Sequence, residues 1–211
     1  MKIQLALDRL TREDCLQIIT DTKESIDWIE IGTGVIKDYG MSIVREVKKQ
    51  FPDKIVVADM KTCDAGKFEA AQAFEAGADI TTVMAFSANK TIIDTLKVAK
   101  QYEKRIMIDL LGVIDPNRIS ELKELGVDLV SLHYGKDMQV DGEIHTDLFS
   151  LLDGHSSFEV AVAGGINLES LPAILEKKPN TIIVGSAITK ADSKLVAEKM
   201  KGMVKKYEIN H

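Results

Sequence analysis

Apolar residues in this chain fall in short consecutive runs, at positions 3–7, 28–31, 55–58, 80–83, 106–110, 129–132, 160–163 and 182–184, and seldom in strict alternation. Each run has strand length and a high share of β-branched residues. The runs recur about every 25 residues, the length that a strand, a loop, a helix and a second loop require. Between them the apolar spacing becomes helical, as at Ile43, Val47 and Phe51, or at Ile92, Ile93, Leu96 and Ala99. Gly77 and Gly126 stand in Ala76-Gly77-Ala78-Asp79 and Leu125-Gly126-Val127-Asp128, where a helix must stop before the next strand, because that position favours a left-handed backbone.

Strands that are apolar on consecutive positions are covered on both faces, as parallel strands linked by helices are. The pattern predicts one α/β domain over residues 1–211, a single (β/α)8 TIM barrel. A doubly wound open sheet competes, but its usual count of about five or six strands leaves two units over, and no Gly-x-Gly-x-x-Gly follows the first run. The longest departure from the repeat is at 135–157, where Asp137, Asp141-Gly142 and Asp153-Gly154 predict an extended loop around a short helix.

At 211 residues, 45% hydrophobic and 28% charged, the chain can bury one sizeable core and is short for two domains. A net charge of −6, with no Lys/Arg cluster interleaved with aromatics, leaves no electrostatic footprint for nucleic acid. The start Met1-Lys2-Ile3-Gln4-Leu5 has no signal pattern, and no apolar run approaches the roughly 20 residues that span a bilayer, so a cytoplasmic protein without membrane partners is expected. Cys15 and Cys63 are too few for a disulfide framework or a zinc site, and Cys63 reads as a small loop filler.

In such barrels chemistry sits where strands end. The third apolar run is followed at once by Asp59-Met60-Lys61-Thr62-Cys63-Asp64, which places two carboxylates and an ammonium at the expected exit of a buried strand. Unpaired, each would cost several kcal/mol, roughly, to bury. Asp59 and Lys61, two positions apart, share a strand face, and Asp64 belongs to the following loop. The other strand ends carry Asp8, Glu30, Asp109 and His133. Taken singly, Asp8 could cap the first helix, Glu30 and Asp109 could pair with Lys61 or Arg105, and the histidine could be structural. Gathered at one mouth, they point to chemistry.

Four carboxylates around one lysine cannot all ionise in a dry pocket without a further cation. Oxygen donors without cysteine suit Mg²⁺, with Glu30 and Asp59 as the ligand pair; a plain charge network with Lys61 is the alternative. The last two strands end in Ala163-Gly164-Gly165-Ile166-Asn167 and Val184-Gly185-Ser186-Ala187-Ile188, in the units whose loops bind phosphate in many barrels, so a phosphorylated substrate is expected.

These residues resemble the metal-dependent members of the orotidine monophosphate decarboxylase superfamily, nearly end to end. The likeness runs through Leu5-Ala6-Leu7-Asp8, Ile29-Glu30-Ile31-Gly32-Thr33, Val57-Ala58-Asp59-Met60-Lys61-Thr62-Cys63-Asp64-Ala65-Gly66, Ala76-Gly77-Ala78-Asp79, Val162-Ala163-Gly164-Gly165 and Val184-Gly185. Asp-x-Lys-x-x-Asp is the superfamily's signature, and orotidine monophosphate decarboxylase itself carries a lysine where this chain has Glu30. Two metal-dependent branches remain, both implying Mg²⁺ and a 1,2-enediolate. Asp109, Ala163 and Ser186 resemble the 3-hexulose-6-phosphate synthases, where the 3-keto-L-gulonate-6-phosphate decarboxylases have glutamate, threonine and arginine. Lys136, three residues after His133, resembles the decarboxylases.

The resemblance implies an aldol addition of D-ribulose 5-phosphate to formaldehyde, reversibly giving D-arabino-3-hexulose 6-phosphate. It implies Glu30 and Asp59 on the metal, Lys61 on the developing oxyanion, and His133 moving the proton at C1. Asp8 and Asp109 would hold sugar hydroxyls or metal-bound water, and the Gly164, Gly165, Gly185 and Ser186 segments the phosphate. It implies further a homodimer in which Asp64 reaches the partner's active site. Decarboxylation of 3-keto-L-gulonate 6-phosphate, with Lys136 assisting, and a non-catalytic phosphosugar-binding protein are the competing readings.

Overall fold

The computed structural model describes residues 1–139, 146–155 and 157–210. Eight parallel strands, β1 (Lys2–Leu7), β2 (Trp28–Ile31), β3 (Ile55–Thr62), β4 (Ile80–Met84), β5 (Arg105–Asp109), β6 (Leu129–His133), β7 (Glu159–Ala163) and β8 (Thr181–Val184), close into a barrel. Each strand pairs with the next, and β8 returns to β1. Helices α1 (Arg12–Thr22), α2 (Thr33–Tyr39), α3 (Met41–Gln50), α4 (Gly66–Glu75), α5 (Asn89–Tyr102), α6 (Pro116–Glu124), α7 (Leu171–Leu175), α8 (Ser186–Thr189) and α9 (Ser193–Asn210) lie between and after the strands. The (β/α)8 architecture read from the apolar runs is the one observed. Gly77 and Gly126 take positive φ, +98° and +88°, between a helix and the next strand, as that reading required.

The core divides in two because strand side chains alternate between faces. One face of each strand packs beneath the helices, in a cluster that includes Leu5, Ile29, Val56 and Ile108. The other fills the lumen with Trp28, Val57, Ile80, Met107, Leu129, Ala161 and Ile183. Stepping two residues onward from these lumen positions arrives at Glu30, Asp59, Thr82, Asp109, Ser131, Ala163 and Gly185, and His133 lies two beyond Ser131. The charged mouth is thus the top layer of the same inward stripe that packs the barrel floor.

One expectation needs correction. The third strand does not stop at Ala58 but runs to Thr62. Its register against β4 passes from Ala58↔Thr81 to Thr62↔Val83, so β3 accommodates two extra residues there, and Lys61 takes φ +48°. Asp59 and Lys61 therefore sit within an irregular strand; ladder bonds are made by backbone, and charged side chains that face a polar mouth do not end them. In the segment 135–157, 3-10 turns form at Lys136–Met138 and Thr146–Leu152. Asp141 and Gly142, on which part of the loop reading rested, lie outside the described residues, as do Ser156 and the final position, 211, of the domain range. Among the described residues no helix is long and apolar enough to cross a membrane.

Candidate active site

A cavity of about 750 Å³ opens at the C-terminal end of the barrel and is lined by Asp8, Glu30, Asp59, Lys61, Asp109 and His133. Around its rim stand Lys136, Gly164, Gly165, Gly185 and Ser186. Asp64, in the loop after β3, is exposed and is not part of this lining.

Lys61 is the centre of the charge pattern. Its Nζ lies 2.8 Å from Asp109 Oδ2 and 3.1 Å from Asp59 Oδ1. Burial would lower its pKa, but the two carboxylates outweigh that and raise it, so the ammonium is held charged. Asp109 is buried, and its Oδ1 accepts from the Leu111 N–H at 2.9 Å. Burial would raise the Asp109 pKa; His133 and then Lys61 reverse this and bring it down to about 2. His133 Nδ1 lies 2.9 Å from Asp109 Oδ2 and 3.2 Å from Oδ1. For His133 too, burial is opposed and overcome by Asp109, and its pKa is raised above 6.5.

Across from this trio stands Glu30, whose Oε2 accepts from Gln4 Nε2 at 2.5 Å. Burial, then the charge of Asp59, pushes the Glu30 pKa up to about 8, against the smaller opposing effects of Gln4, Lys61 and His133. Asp59 is buried and well supported. Its Oδ1 accepts from Thr82 Oγ1 at 2.8 Å, and Thr33 Oγ1 lies 2.9 Å from Oδ2 and 2.8 Å from the Asp59 carbonyl oxygen.

The bland alternatives for these residues fare unevenly. Asp109 does pair with Lys61, whereas Arg105 turns to Glu159 and Asp128 at the other end of the barrel, at 2.7 and 3.1 Å. Asp8 does not cap the first helix: Thr11 does, accepting from Asp14 N–H at 3.1 Å. Asp8 Oδ1 instead accepts from the Gly34 N–H at 2.8 Å, in the first turn of α2. A side chain at Gly34 would put its Cβ 2.5 Å from that oxygen, so the contact depends on glycine there.

Gly164 has φ +117°, and a Cβ added there would meet the Tyr134 carbonyl oxygen at 2.4 Å. Only glycine lets this loop pass so close to the end of β6. Gly165 follows at φ +65°, and α8 opens at Ser186 directly behind Gly185. Lys136 is exposed on the same side of the rim, with its Nζ 3.4 Å from Gln139 Oε1, an atom that lies 3.9 Å from a Cβ built at Gly165. Cys63 is exposed, Cys15 is buried, and both are free thiols.

Gln4, Thr33 and Thr82 contact the site's carboxylates and escaped the sequence reading because they are uncharged. The lumen parity carried the signal for two of them: Gln4 precedes Ala6 on the inward face of β1, in step with Asp8 just beyond its end, and Thr82 follows Ile80 on that of β4.

A family model described as Orotidine 5′-phosphate decarboxylase / HUMPS family matches residues 1–200. A Bacillus subtilis (strain 168) protein named 3-hexulose-6-phosphate synthase is 38% identical over 207 residues, covering 97% of this chain and 99% of that one. The crystal structure of 3-hexulose-6-phosphate synthase from Salmonella typhimurium superposes with a TM-score of 0.95 at 35% identity, covering 98% of this chain and 100% of the other. That of 3-keto-L-gulonate-6-phosphate decarboxylase from Vibrio cholerae O1 gives a TM-score of 0.85 at 28% identity, with 98% of each chain covered.

Proposed function

The chain belongs to the orotidine 5′-phosphate decarboxylase / HUMPS family and is an enzyme of the lyase type, and on that footing we propose that it condenses D-ribulose 5-phosphate with formaldehyde, reversibly, to D-arabino-3-hexulose 6-phosphate. The observation that carries this reading is the division of charge within one cavity. Glu30 and Asp59 offer a carboxylate pair for a cation, Lys61 offers an ammonium for an oxyanion, and His133 offers an imidazole for a proton.

The residues fit Mg²⁺. Among the described residues no group of three or more His, Cys, Asp or Glu side chains is placed to hold a metal ion by itself. A pair of carboxylates is what Mg²⁺ commonly takes, completing its shell with water and substrate oxygens. Two further features favour a cation beside Glu30: its pKa is raised by burial and by Asp59, and the buried Gln4 Oε1, next to it, has no hydrogen-bond partner and suits a water of the ion's shell. Glu30 and Asp59 would hold the ion, which when bound supplies Lewis acidity toward the C2 carbonyl and C3 hydroxyl oxygens.

The chain's own groups account for the remaining steps. With Nδ1 of His133 engaged by Asp109, Nε2 is the nitrogen that would take the C1 proton, breaking the C1–H bond. Lys61, fixed by two carboxylates, would stabilise the oxyanion as charge develops, and preorganised charge of this kind is commonly the largest catalytic term. C1 then bonds to the formaldehyde carbon, and the proton on His133 returns to the former formaldehyde oxygen. Asp8 would meet sugar hydroxyls at the rim, and the backbones of Gly164, Gly165, Gly185 and Ser186 would receive the phosphate.

Assembly as a homodimer, with Asp64 serving the neighbouring subunit, is part of the same proposal. It is supported by the exposure of Asp64 and by exposed Phe68, Phe86 and Ile114, at 74, 66 and 90%, which come from the third to fifth units of the barrel near Asp64's end. A decarboxylase reading keeps one observation in its favour, the position of Lys136 on the cavity rim.

Purified protein with Mg²⁺, ribulose 5-phosphate and formaldehyde is expected to consume both substrates, and EDTA to stop it. Undiminished formaldehyde would refute the synthase, and faster CO₂ release from 3-keto-L-gulonate 6-phosphate would put the decarboxylase in its place. Turnover unaffected by EDTA would remove the metal.

A further inference from the structure

Lys61 holds a backbone conformation that its residue type disfavours. At φ +48° it lies in the left-handed region, which costs a non-glycine residue roughly 1–2 kcal/mol. The register shifts between Ala58 and Thr62, so Lys61 itself is not held in place by a regular pairing with β4, although its neighbour Thr62 pairs with Val83. A side chain does so instead. The Lys61 N–H donates to Thr82 Oγ1 at 2.9 Å, and the same hydroxyl donates to Asp59 Oδ1 at 2.8 Å.

A hydroxyl has one proton, so the acceptor and donor roles here are assigned without ambiguity: the proton goes to the carboxylate and a lone pair receives the amide. Thr82 is 4% exposed and sits on the inward stripe of β4, between the lumen floor and the cavity. Its neighbour Thr81 faces the other way and donates to the Ala58 carbonyl oxygen at 3.1 Å, a bond between strands that touches no charged group of the site. One threonine of the pair stitches strands together. The other ties the backbone of Lys61 to the carboxylate of Asp59.

We propose that Thr82 is a positioning residue whose hydroxyl holds the irregular stretch of β3 so that the Lys61 ammonium stands between Asp59 and Asp109. This rests on the reading of Lys61 as the charge that meets the oxyanion. Without the hydroxyl, the Lys61 amide and one Asp59 lone pair lose a shared anchor, and the left-handed turn has one fewer restraint. The ammonium then samples positions away from the reacting oxygen. A displacement of about 1 Å is enough to cost on the order of 100-fold in rate, with little effect on substrate affinity supplied by a phosphate elsewhere in the cavity.

The test compares Thr82→Val, which keeps the shape and removes the hydroxyl, with Thr82→Ser, which keeps the hydroxyl and removes a methyl. Thr82→Val is expected to lower kcat of the aldol reaction by about 30- to 100-fold with KM for ribulose 5-phosphate changed less than about 3-fold, and Thr82→Ser to stay within about 3-fold of the parent. Amide exchange at Lys61, followed by NMR, should quicken in Thr82→Val and not in Thr82→Ser. Equal losses in the two variants would assign the effect to packing and overturn the proposal, as would unchanged exchange at Lys61. Should Thr82→Val fail to fold, Thr82→Ala against Thr82→Ser makes the same comparison. If the parent protein shows no aldol turnover, the functional reading falls while the exchange measurement still decides whether Thr82 holds Lys61.

Discussion

Asp109 Oδ2 lies 2.9 Å from His133 Nδ1, so one carboxylate both orients the imidazole and raises its pKa. Lys61, 2.8 Å from the same oxygen, shares that carboxylate. The three residues form a chain in which a change at Asp109 is felt at both Lys61 and His133.

The pH dependence follows. Burial alone would lower the His133 pKa, but Asp109 raises it, so the neutral base is lost as pH falls through a value above 6.5. The acid limb of kcat/KM is expected there. Asp109→Asn removes the charge that raises the pKa, so the limb should move to lower pH while the plateau drops by roughly 10- to 100-fold. A pH–rate profile checks both; a limb that does not move would assign it to a group other than His133.

Gln4→Leu removes the donor to Glu30 and the unpartnered Oε1 together. Groups that support a metal ligand typically account for 10- to 100-fold in metal affinity, so Mg²⁺ binding should weaken by at least about 10-fold. The metal-dependent rise in thermal midpoint, titrated with Mg²⁺, reports this without substrate. An unaltered titration would separate Gln4 from the cation.

Asp64 and Lys61 should complement one another across subunits. Asp64→Ala and Lys61→Ala are each expected to be inactive alone. A co-refolded equal mixture should recover about a quarter of parent activity, because half the dimers are hybrids and each hybrid has one intact site of two. Absence of recovery would place Asp64 in its own chain's chemistry or outside it.

Glycine is required at position 164 for two reasons, and at 126 for one. Gly164→Ala meets both an unfavourable φ of +117° and the Tyr134 carbonyl oxygen at 2.4 Å, whereas Gly126, at φ +88°, has nothing within 4 Å of an added Cβ. Chemical denaturation should show a loss of about 1 kcal/mol for Gly126→Ala and more than about 2 for Gly164→Ala, with weakened phosphosugar binding only in the latter.

At the opposite end of the barrel, Asp79 accepts from Lys48 at 2.8 Å, Lys104 at 2.6 Å and the Val56 N–H at 2.9 Å. Burial would raise its pKa, yet these partners lower it. A depressed carboxylate pKa contributes stability that is fully present above the unfolded value of about 4 and is lost as pH falls through the folded value. Asp79→Asn should therefore lower stability at neutral pH and flatten its decline below about pH 4, measured by urea unfolding across pH.

Much of this site was readable before folding, for a physical reason. Charges cannot be buried without partners, so carboxylates, a lysine and a histidine closing otherwise apolar strands mark themselves, and Asp8, Glu30, Asp59, Lys61, Asp109 and His133 do line one cavity. Uncharged groups carry no such mark. Gln4, Thr33 and Thr82 read as ordinary strand and loop residues until their distances to Glu30 and Asp59 are known. Which N–H Asp8 meets was likewise not legible, because that is decided by what lies within reach in space: it accepts from Gly34, distant in sequence, and not from the first helix.

By itself, then, the sequence determined the repeat of strand and helix, the parallel barrel, and the set of ionisable groups at its mouth, because burial of apolar runs and exclusion of unpaired charge are local demands that composition expresses directly. Tertiary structure decided how those groups divide. Packing β3 against β4 placed Lys61 in a left-handed backbone over Asp59 and beside Asp109, left Glu30 with Gln4, and gave His133 to Asp109. Those assignments turn on separations of a few ångströms between residues up to about 50 positions apart, over which electrostatic interaction and hydrogen bonding vary steeply while the sequence pattern does not vary at all.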